Sequence, residues 1–464
     1  MNSLWLCDDL NTKNFESLNK NISTDVCIIG AGIFGLTCGY YLSKAGLKVT
    51  ILDKDGISQK TTGHTTAKIT SQHGIIYTYL VKTYGEQFAK DYLFANQEAI
   101  ENIKDIIDTE NIKCDFERQS NFVYTINKSE VTKIKKEVDC VNAIGFPANF
   151  VTKVGLPFEI AGAIQFKNQA QFNPIKYVYG LCNSIIKNGG QIYKNTIVYD
   201  VKKSDNSFST LSVGGSINSK YVILASHYPF INFPGMYFLK MYQSSSYVIG
   251  VDTKKTLFNG MYITSSEPIY SFRTAYYNGK KILLLGGLGH KTGSFVTYKQ
   301  SYEALENYAK QLYPNCEILF RWSTRDCITL DKIPYVGSFS SVMSNLYVGT
   351  GFNKWGMTSS NVAANIICDM ILKKYNKYAY IFDSTRVNPI KNRTEIKNMI
   401  TESVNSLAIK KFKNSKVSFD NIPKNSGGII DINNQKIGIY KDTSRKYFCC
   451  KTYLYSFRLF TFLE

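Results

Sequence analysis

Histidine is scarce in this chain, with four in 464 residues: His64, His73, His227 and His290. The last 170 residues therefore hold none, which leaves few ways to build a histidine-ligated metal or iron–sulfur centre there. Long apolar runs are missing too. No stretch approaches the about 18 residues that a membrane-crossing helix needs. The opening "MNSLWLCDDLNTKNFESLNK" is polar and acidic where a secretory signal would be basic and then apolar. No internal repeat or low-complexity tract occurs. The eleven cysteines lack metal-ligand spacing, and Cys27, Cys38, Cys182 and Cys368 fall inside apolar periodic segments, where a thiol acts as a small hydrophobe. This usage implies a reducing compartment, a cytoplasmic protein, no disulfide framework and no metal site. The formal charge is +19, but the lysines are spread along the whole length among Asn, Ile and Tyr. Without a basic stripe, nucleic acid is not an expected partner.

What remains is an ordinary globular composition, 44% hydrophobic and 20% charged, long enough for two or three domains. The richest segment is "VCIIGAGIFGLTCGYYLSKAGLKVTILDKD", Val26 to Asp55. Val26 to Ile29 reads as a buried parallel strand that breaks at Gly30, Gly32 and Gly35, the three fixed positions of G-x-G-x-x-G. The first glycine permits the tight turn, the second lets a pyrophosphate approach the backbone, and the third lets helix and strand pack closely. The phosphates would sit on the helix N-terminus. Gly39 lies where that helix crosses the sheet and Gly46 is placed to end it. A second strand, Val49 to Leu52, ends at Asp53, where a carboxylate can take a ribose hydroxyl pair.

Further Rossmann-type pieces recur downstream. A helix is expected over about 84–110, another from Pro174 to Lys187 with Gly189 and Gly190 as its stop, then a strand Thr196 to Val201 and the buried strand in "KYVILASHYPF". The expected fold class is α/β: a Rossmann-like nucleotide domain, built from 22–85, 160–228 and 321–385, with an inserted mixed-sheet α+β domain over 86–159 and 229–320. A linker helix over 386–415 and a β-rich tail, 416–464, complete the chain.

Nicotinamide and flavin enzymes share the first motif, so a second signal must separate them. In "NLYVGTGFNKWGMTSSNVAANIICDMI" the strand Leu346 to Val348 runs into Gly349, Gly351 and Gly356, and a helix begins with Thr358, Ser359 or Ser360 available as cap. That N-terminus would stabilise the anionic edge of a reduced isoalloxazine, which a flavin requires and a nicotinamide does not.

The motifs "DVCIIGAGIFG", "TTGHTTAKITSQHG", "RWSTRDCITLDKIPYVG" and the segment just quoted make residues 22–385 resemble the FAD-dependent oxidoreductases of the D-amino acid oxidase, glycine oxidase and sarcosine oxidase superfamily. The nearest subgroup is similar to gamma-glutamylputrescine oxidoreductase and carries a C-terminal Rieske domain. The resemblance implies FAD as cofactor. It places Gly30, Gly32, Ile33, Phe34 and Gly35 at the pyrophosphate, Asp53 and Lys54 at the adenosine ribose, and Val198 beside the adenine through its backbone. Thr61, Thr62, Gly63, His64, Thr65 and Thr66 would run along pyrophosphate and flavin, and Gly351, Phe352, Lys354, Gly356 and Met357 would meet the pyrimidine edge. His64 has two readings, a hydrogen-bonding residue and a point of covalent flavin attachment.

The implied reaction moves a hydride from the carbon beside an amine to the flavin, and the imine then hydrolyses. A partly apolar, aromatic pocket favours the neutral amine this needs. Tyr242, Tyr247, Tyr270 and Phe272 are candidates for it, with ordinary core packing as the alternative. Arg273 is the candidate for a substrate carboxylate. His290 falls where sarcosine-oxidase-like members place an active-site histidine. Oxygen-using members carry a lysine shortly before it, where this chain has Gly286 and Gly287, so the acceptor stays open among oxygen, a quinone and a protein. A nicotinamide-linked dehydrogenase and a non-catalytic FAD-binding remnant are the competing functions. In the tail, "GGIIDINNQKIGIYKD" matches the opening hairpin of a Rieske domain around Asn433 and Asn434. "YFCCKTYLYSFRLFTFLE" then departs from the pattern at Cys449 and Cys450. The expectation is a truncated Rieske-like tail without a cluster.

Overall fold

The computed structural model describes residues 3–7, 15–292, 294, 297–386, 426–432, 435–442 and 447–451. Two units are distinguished, 1–387 and 388–464.

The first unit is built on two sheets. The apolar run at Ile22–Ile29 becomes the centre of an eight-stranded sheet, flanked in parallel by Val49–Leu52 and Gly215–Leu224. Val26, Cys27 and Ile28 are fully buried, as strands covered on both faces must be. Gln191–Tyr193 extends the sheet beyond Val49–Leu52, and Leu346–Thr350 extends it beyond Gly215–Leu224, both in parallel. Tyr335–Ser338 closes one edge antiparallel. The helix Ile33–Lys44 packs between the helices Pro174–Lys187 and Gly356–Ile371. Gly39 allows this crossing: a Cβ there would stand 2.6 Å from Ile51 Cδ1.

The second sheet has nine strands, in the order Glu317–Thr329, Met241–Asp252, Lys280–Lys291, Tyr270–Tyr277, Met261–Thr264, Glu117–Thr125, Gly162–Gln171 and Lys68–Ile69, with Ala148–Val151 paired to Gly162–Gln171. The helix Tyr298–Leu312, which opens on a Thr297–Gln300 capping box, packs against its central strands.

The helix expected over 174–187 has those bounds. The one expected over 84–110 is two helices, Tyr77–Tyr84 and Glu86–Thr109, separated at Gly85 with φ +95°. Strand Val198–Ser204 starts two residues later than expected and joins the first sheet through Ser207–Ser212. The seams between the two sheets also fall elsewhere. Lys68–Ile69, Gly162–Gln171 and most of Glu317–Thr329 belong to the second sheet although the segments 22–85, 160–228 and 321–385 were assigned to the nucleotide domain. These strands carry buried polar residues such as Lys68, Gln169 and Gln171, so hydrophobic periodicity does not mark their sheet.

In the second unit, Ser426–Ile432 and Gln435–Lys441 pair antiparallel with Ile432 opposite Gln435, and Tyr447–Lys451 adds a third strand. The hairpin is where the sequence puts it. Beyond Arg386, the linker helix expected over 386–415 lies outside the described residues.

Arg386 closes the first unit. Its guanidinium donates to both oxygens of Asp331, at 2.8 and 3.1 Å, and to the carbonyls of Ile333, Pro334 and Asp383, while its plane lies 3.8 Å from the Tyr335 ring centre. Asp331 is 6% exposed. Arg386→Ala leaves that carboxylate buried without its partner and is expected to cost about 3–5 kcal/mol, read by urea unfolding, whereas a chain ended near residue 415 keeps the clamp and its stability.

Candidate functional site

The site forms at the carboxyl ends of the parallel strands, the place where open α/β sheets bind ligands. Three glycines shape the first turn for different reasons. Gly30 has φ +118°, and a Cβ there would meet Ala225 O at 2.4 Å. A Cβ on Gly35 would stand 2.0 Å from Gly30 O. Both are demanded by the chain's own packing. Gly32 is not: its φ is −80°, and a Cβ would find only Thr62 Oγ1, at 3.4 Å. The protein therefore has room for a Cβ at Gly32, and nothing in its own packing requires a glycine there. Because Gly32 is the N-cap of Ile33–Lys44 and has no side chain to cap it, that space faces a helix N-terminus. The residues present thus fit an anionic dinucleotide.

Asp53 ties the turn to the next strand. Its Oδ2 accepts from Ala31 N–H at 2.8 Å and its Oδ1 from Asp55 N–H at 2.9 Å. Burial raises its pKa and these two bonds oppose the rise. Each oxygen retains acceptor capacity for a hydroxyl. Lys54 is exposed. The segment leading to Val198 is attached to the same point, since Thr196 N–H donates to Asp53 O at 2.8 Å.

The loop after the second strand folds back over the turn. Ser58 caps Ala31 O through both its N–H and its hydroxyl, and Thr62 Oγ1 accepts from Ile33 N–H at 3.1 Å. Thr61–His64 is a 3-10 turn. His64 Nδ1 lies 2.8 Å from Lys60 O, so it donates there as the neutral tautomer, and burial holds its pKa down. The second glycine segment reaches the first through a ring contact: Phe34 and Phe352 pack edge to face at 5.7 Å. A Cβ on Gly351, φ +71°, would strike Thr329 Cγ2 at 2.2 Å, whereas Gly356 again has room, with Phe352 no nearer than 3.9 Å. Met357 is buried. The helix here starts at Gly356, not after Thr358. Thr358, Ser359 and Ser360 lie inside it and cap nothing; Thr358 donates to Thr70 O at 3.1 Å.

Of the proposed substrate residues, two meet. Tyr247 Oη lies 2.7 Å from His290 Nε2, and Ser294 Oγ lies 2.8 Å from His290 Nδ1. An extra residue in the Lys280–Lys291 strand makes this possible, because Ser245 pairs with His290 while Tyr247 pairs with Gly287. Tyr298 and Tyr302 pack edge-on against Tyr247, and Arg325 donates to Tyr298 Oη at 2.9 Å. One residue before His290, the position of a Cβ on Gly289 would be 2.8 Å from Lys354 Nζ. Lys354 therefore brings positive charge from the second glycine loop to this strand end. Burial lowers its pKa, while Asp326 and Glu267 oppose the drop. Phe272 is fully buried in the core beneath, and the Tyr270 ring lies tilted against Tyr308, with centres 4.3 Å apart.

Arg273 is not a reader of substrate carboxylate. It is 2% exposed, with Nη1 donating to Thr66 O at 2.7 Å, Ala67 O at 2.8 Å and Phe172 O at 3.3 Å, and Nε donating to Thr274 O at 2.9 Å. Burial pushes its pKa down to about 9. Residue type alone could not separate this role from anion recognition. Sequence reasoning also missed Trp5, whose Nε1 donates to Thr65 O at 2.6 Å and whose ring lies 5.4 Å from the Arg273 guanidinium. A lone tryptophan in a polar segment gives no periodic signal. His227 and Asp326 were missed as well. His227 Nε2 is buried without a hydrogen-bond partner among the described residues, and Asp326, which acts on it electrostatically, is held by Ser246.

Gly32 and Gly35 should separate folding from cofactor binding. Gly32→Val is expected to keep its thermal unfolding temperature as apoprotein yet purify colourless, because its side chain fills the open space. Gly35→Ala should lose stability outright. A yellow Gly32→Val protein with full flavin content would overturn the assignment.

Comparison with known proteins gives the family and the fold. The FAD dependent oxidoreductase family matches residues 25–370. The Bacillus subtilis protein named putative Rieske 2Fe-2S iron-sulfur protein YhfW is 35% identical, over 92% of this chain and 84% of its own length. Gamma-glutamylputrescine oxidoreductase from Escherichia coli is 21% identical over 77% of this chain and 85% of its own. Among solved structures, glycine oxidase from Geobacillus kaustophilus superposes with a TM-score of 0.67 at 18% identity, covering 79% of this chain and 99% of that one. L-proline dehydrogenase from P. horikoshii gives 0.65 at 17%, covering 79% and 98%. The chain belongs to the FAD dependent oxidoreductase family, and FAD is its cofactor.

Proposed function

We propose that this oxidoreductase acts on an amine or amino acid at the carbon–nitrogen bond. The observation that carries the reading is the Tyr247–His290 pair, set among Tyr298 and Tyr302 one residue from the Lys354 ammonium. Bound FAD supplies the acceptor for the hydride. Tyr247 is fully buried, so it is the exposed Tyr298 ring that can attract an arriving ammonium, while the aromatic surroundings favour the neutral amine, whose lone pair assists hydride loss. Tyr247 Oη, 2.7 Å from His290 Nε2, orients the imidazole, and His290 is the group suited to take a proton from the substrate nitrogen. Names among the relatives support the substrate class: a gamma-glutamylputrescine oxidoreductase, a glycine oxidase and an L-proline dehydrogenase.

The glycine cradle, Asp53, the Thr61–Thr66 loop and the Gly351–Met357 loop are the FAD contacts in this reading, with Val198 beside the adenine. His64 is a hydrogen-bonding residue, so acid precipitation should release all flavin to the supernatant. Flavin remaining in the pellet would favour covalent attachment. For the tail the reading is a Rieske-like hairpin, Ser426–Ile432 paired with Gln435–Lys441. Among the described residues no group of His, Cys, Asp or Glu is placed to hold a metal. No described helix is long and apolar enough to cross a membrane.

The test is anaerobic mixing with panels of amines, amino acids and 2-hydroxy acids while following the flavin band near about 450 nm. Amines or amino acids should bleach it and hydroxy acids should not. His290→Gln should slow bleaching by about 100-fold with FAD content unchanged. Bleaching by hydroxy acids alone would reverse the substrate class, and a flavin that no substrate reduces would favour a binding remnant.

A further inference from the structure

The loop from Gly351 to Met357 is held in a shape that its residues do not favour. Trp355 N–H donates to Phe352 O at 2.8 Å, and the two residues between them, Asn353 and Lys354, have φ of +51° and +71°. Two consecutive left-handed residues closed by such a bond make a turn that ordinarily calls for Asn-Gly. Asn353 suits its place. Lys354 stands where glycine is preferred, in a conformation that is costly for any residue with a Cβ. Glycine there would relieve the strain and lose the ammonium that reaches Gly289. Strain of this kind persists only where neighbours hold it.

Here the neighbours hold it from both sides. Phe352 packs edge to face on Phe34. Asn353 is tied to the second sheet: Thr329 N–H donates to its Oδ1 at 2.8 Å, and its own N–H donates to Cys327 O at 3.1 Å. Beyond the strained pair, the Trp355 ring lies stacked on His73, with centres 5.0 Å apart and planes inclined by 13°. The helix Gly356–Ile371 starts at the next residue, so the placement of Trp355 sets where its free N–H groups point.

His73 is built as a fixed platform. It is 5% exposed and lies on the segment that continues from the Thr61–Thr66 loop, so it links that loop to the second one. Its Nε2 lies 3.0 Å from Thr70 O, which can only accept, so Nε2 carries the proton and Nδ1 accepts from Tyr92 Oη at 2.8 Å. Thr358 Oγ1, 3.2 Å from Nε2, gives its own proton to Thr70 O. Burial pushes the His73 pKa down to about 3, so the ring stays neutral. Both nitrogens are committed to the protein, and a ring face is given to Trp355.

We propose that His73 is a positioning residue for FAD: through the Trp355 ring it keeps the Asn353–Lys354 turn and the Gly356 helix start in their binding geometry before the cofactor arrives. This rests on the placement of FAD against the Gly351–Met357 loop and not on the identity of the substrate. The protein's own packing meets the cost of the turn, so FAD binds a preformed loop. Without the stack the turn relaxes, and FAD must rebuild it at the expense of affinity.

The ring of His73 and its hydrogen bonds can be separated. His73→Asn keeps an acceptor for Tyr92 but has no ring to stack, and is expected to bind FAD about tenfold more weakly. His73→Phe combined with Tyr92→Phe keeps a flat ring, gives up both hydrogen bonds and leaves no orphaned hydroxyl; it should hold FAD with wild-type affinity. Affinities are read on the full chain by ultrafiltration of flavin-loaded protein, alongside thermal unfolding of the flavin-free form. Action through Trp355 has its own signature: in a Trp355→Leu background, His73→Asn should leave FAD affinity unchanged. A tenfold loss that recurs in that background would overturn the proposal, as would wild-type affinity in His73→Asn or affinities that follow unfolding temperature across the series. If His73→Asn does not fold, the combined Phe variant carries the test: retained affinity supports the stack, and a tenfold loss overturns it. Gly356→Val checks the placement beneath the proposal. Colourless protein supports it, and full flavin content would defeat the placement of FAD at this loop and the proposal with it.

Discussion

The bonds from Arg273 to the carbonyls of Thr66 and Ala67 fix the loop that passes from the first sheet to the second. That loop does several things at once. Thr62 satisfies an N–H at the first turn of the Ile33–Lys44 helix, Thr65 accepts from Trp5, and Ala67, buried with φ +53°, turns the chain into the second sheet. A left-handed, non-glycine residue at such a turn costs about 1–3 kcal/mol unless its surroundings over-determine it. Here they do, because one guanidinium nitrogen binds the carbonyls of the two peptides on either side of the Ala67 Cα. Without it, the loop would keep its sequence and lose its place over the glycine turn.

The same choice creates an electrostatic problem. A guanidinium removed from water and surrounded by carbonyls needs strong compensation, and the Trp5 ring adds to it from the N-terminal segment. Placing Lys68 next to it compounds the cost. An arrangement of this kind gains stability from an anion bound nearby, so cofactor binding and folding of the loop are coupled. This also explains why the region carries so many buried amides and hydroxyls, including Gln72, Asn121 and Gln169 in mutual or backbone hydrogen bonds. They solvate a polar interior that hydrophobic packing alone would not tolerate.

How much of this the sequence reveals depends on whether a residue's role follows from its own backbone. The strand–turn–helix at Val26–Lys44, the second glycine segment and the helix Pro174–Lys187 were all legible, because periodicity, glycine spacing and an Asn173 cap followed by proline are local signals. The roles of Arg273, Trp5 and Lys68 were not. Each is decided by partners from 60 to more than 200 residues away, and the sequence cannot say whether an arginine faces carbonyls or solvent. The sheet to which two strands belong was not legible for a related reason: Lys68–Ile69 is two residues long and Gly162–Gln171 carries polar groups at buried positions, so neither announces its sheet.

The glycines show how a ligand can be read from a chain that holds none. Gly30, Gly35 and Gly351 are explained by atoms of the protein, Ala225 O, Gly30 O and Thr329 Cγ2, each closer than 2.5 Å to where a Cβ would stand. Their presence says only that the chain packs tightly. Gly32 and Gly356 have no such atom and no positive φ, so packing gives no reason for their lack of a side chain. Both sit at helix starts whose N-cap residue, Gly32 or Trp355, makes no side-chain capping bond, Thr62 reaching only the Ile33 N–H of the first, and both lie in loops joined through Phe34 and Phe352. A helix start with free N–H groups and vacant space needs an anion or a polar ring edge to complete it. Two such starts joined by one aromatic contact imply a ligand long enough to reach from phosphate to ring, and it is this pair, rather than the glycine pattern as a whole, that argues for a dinucleotide.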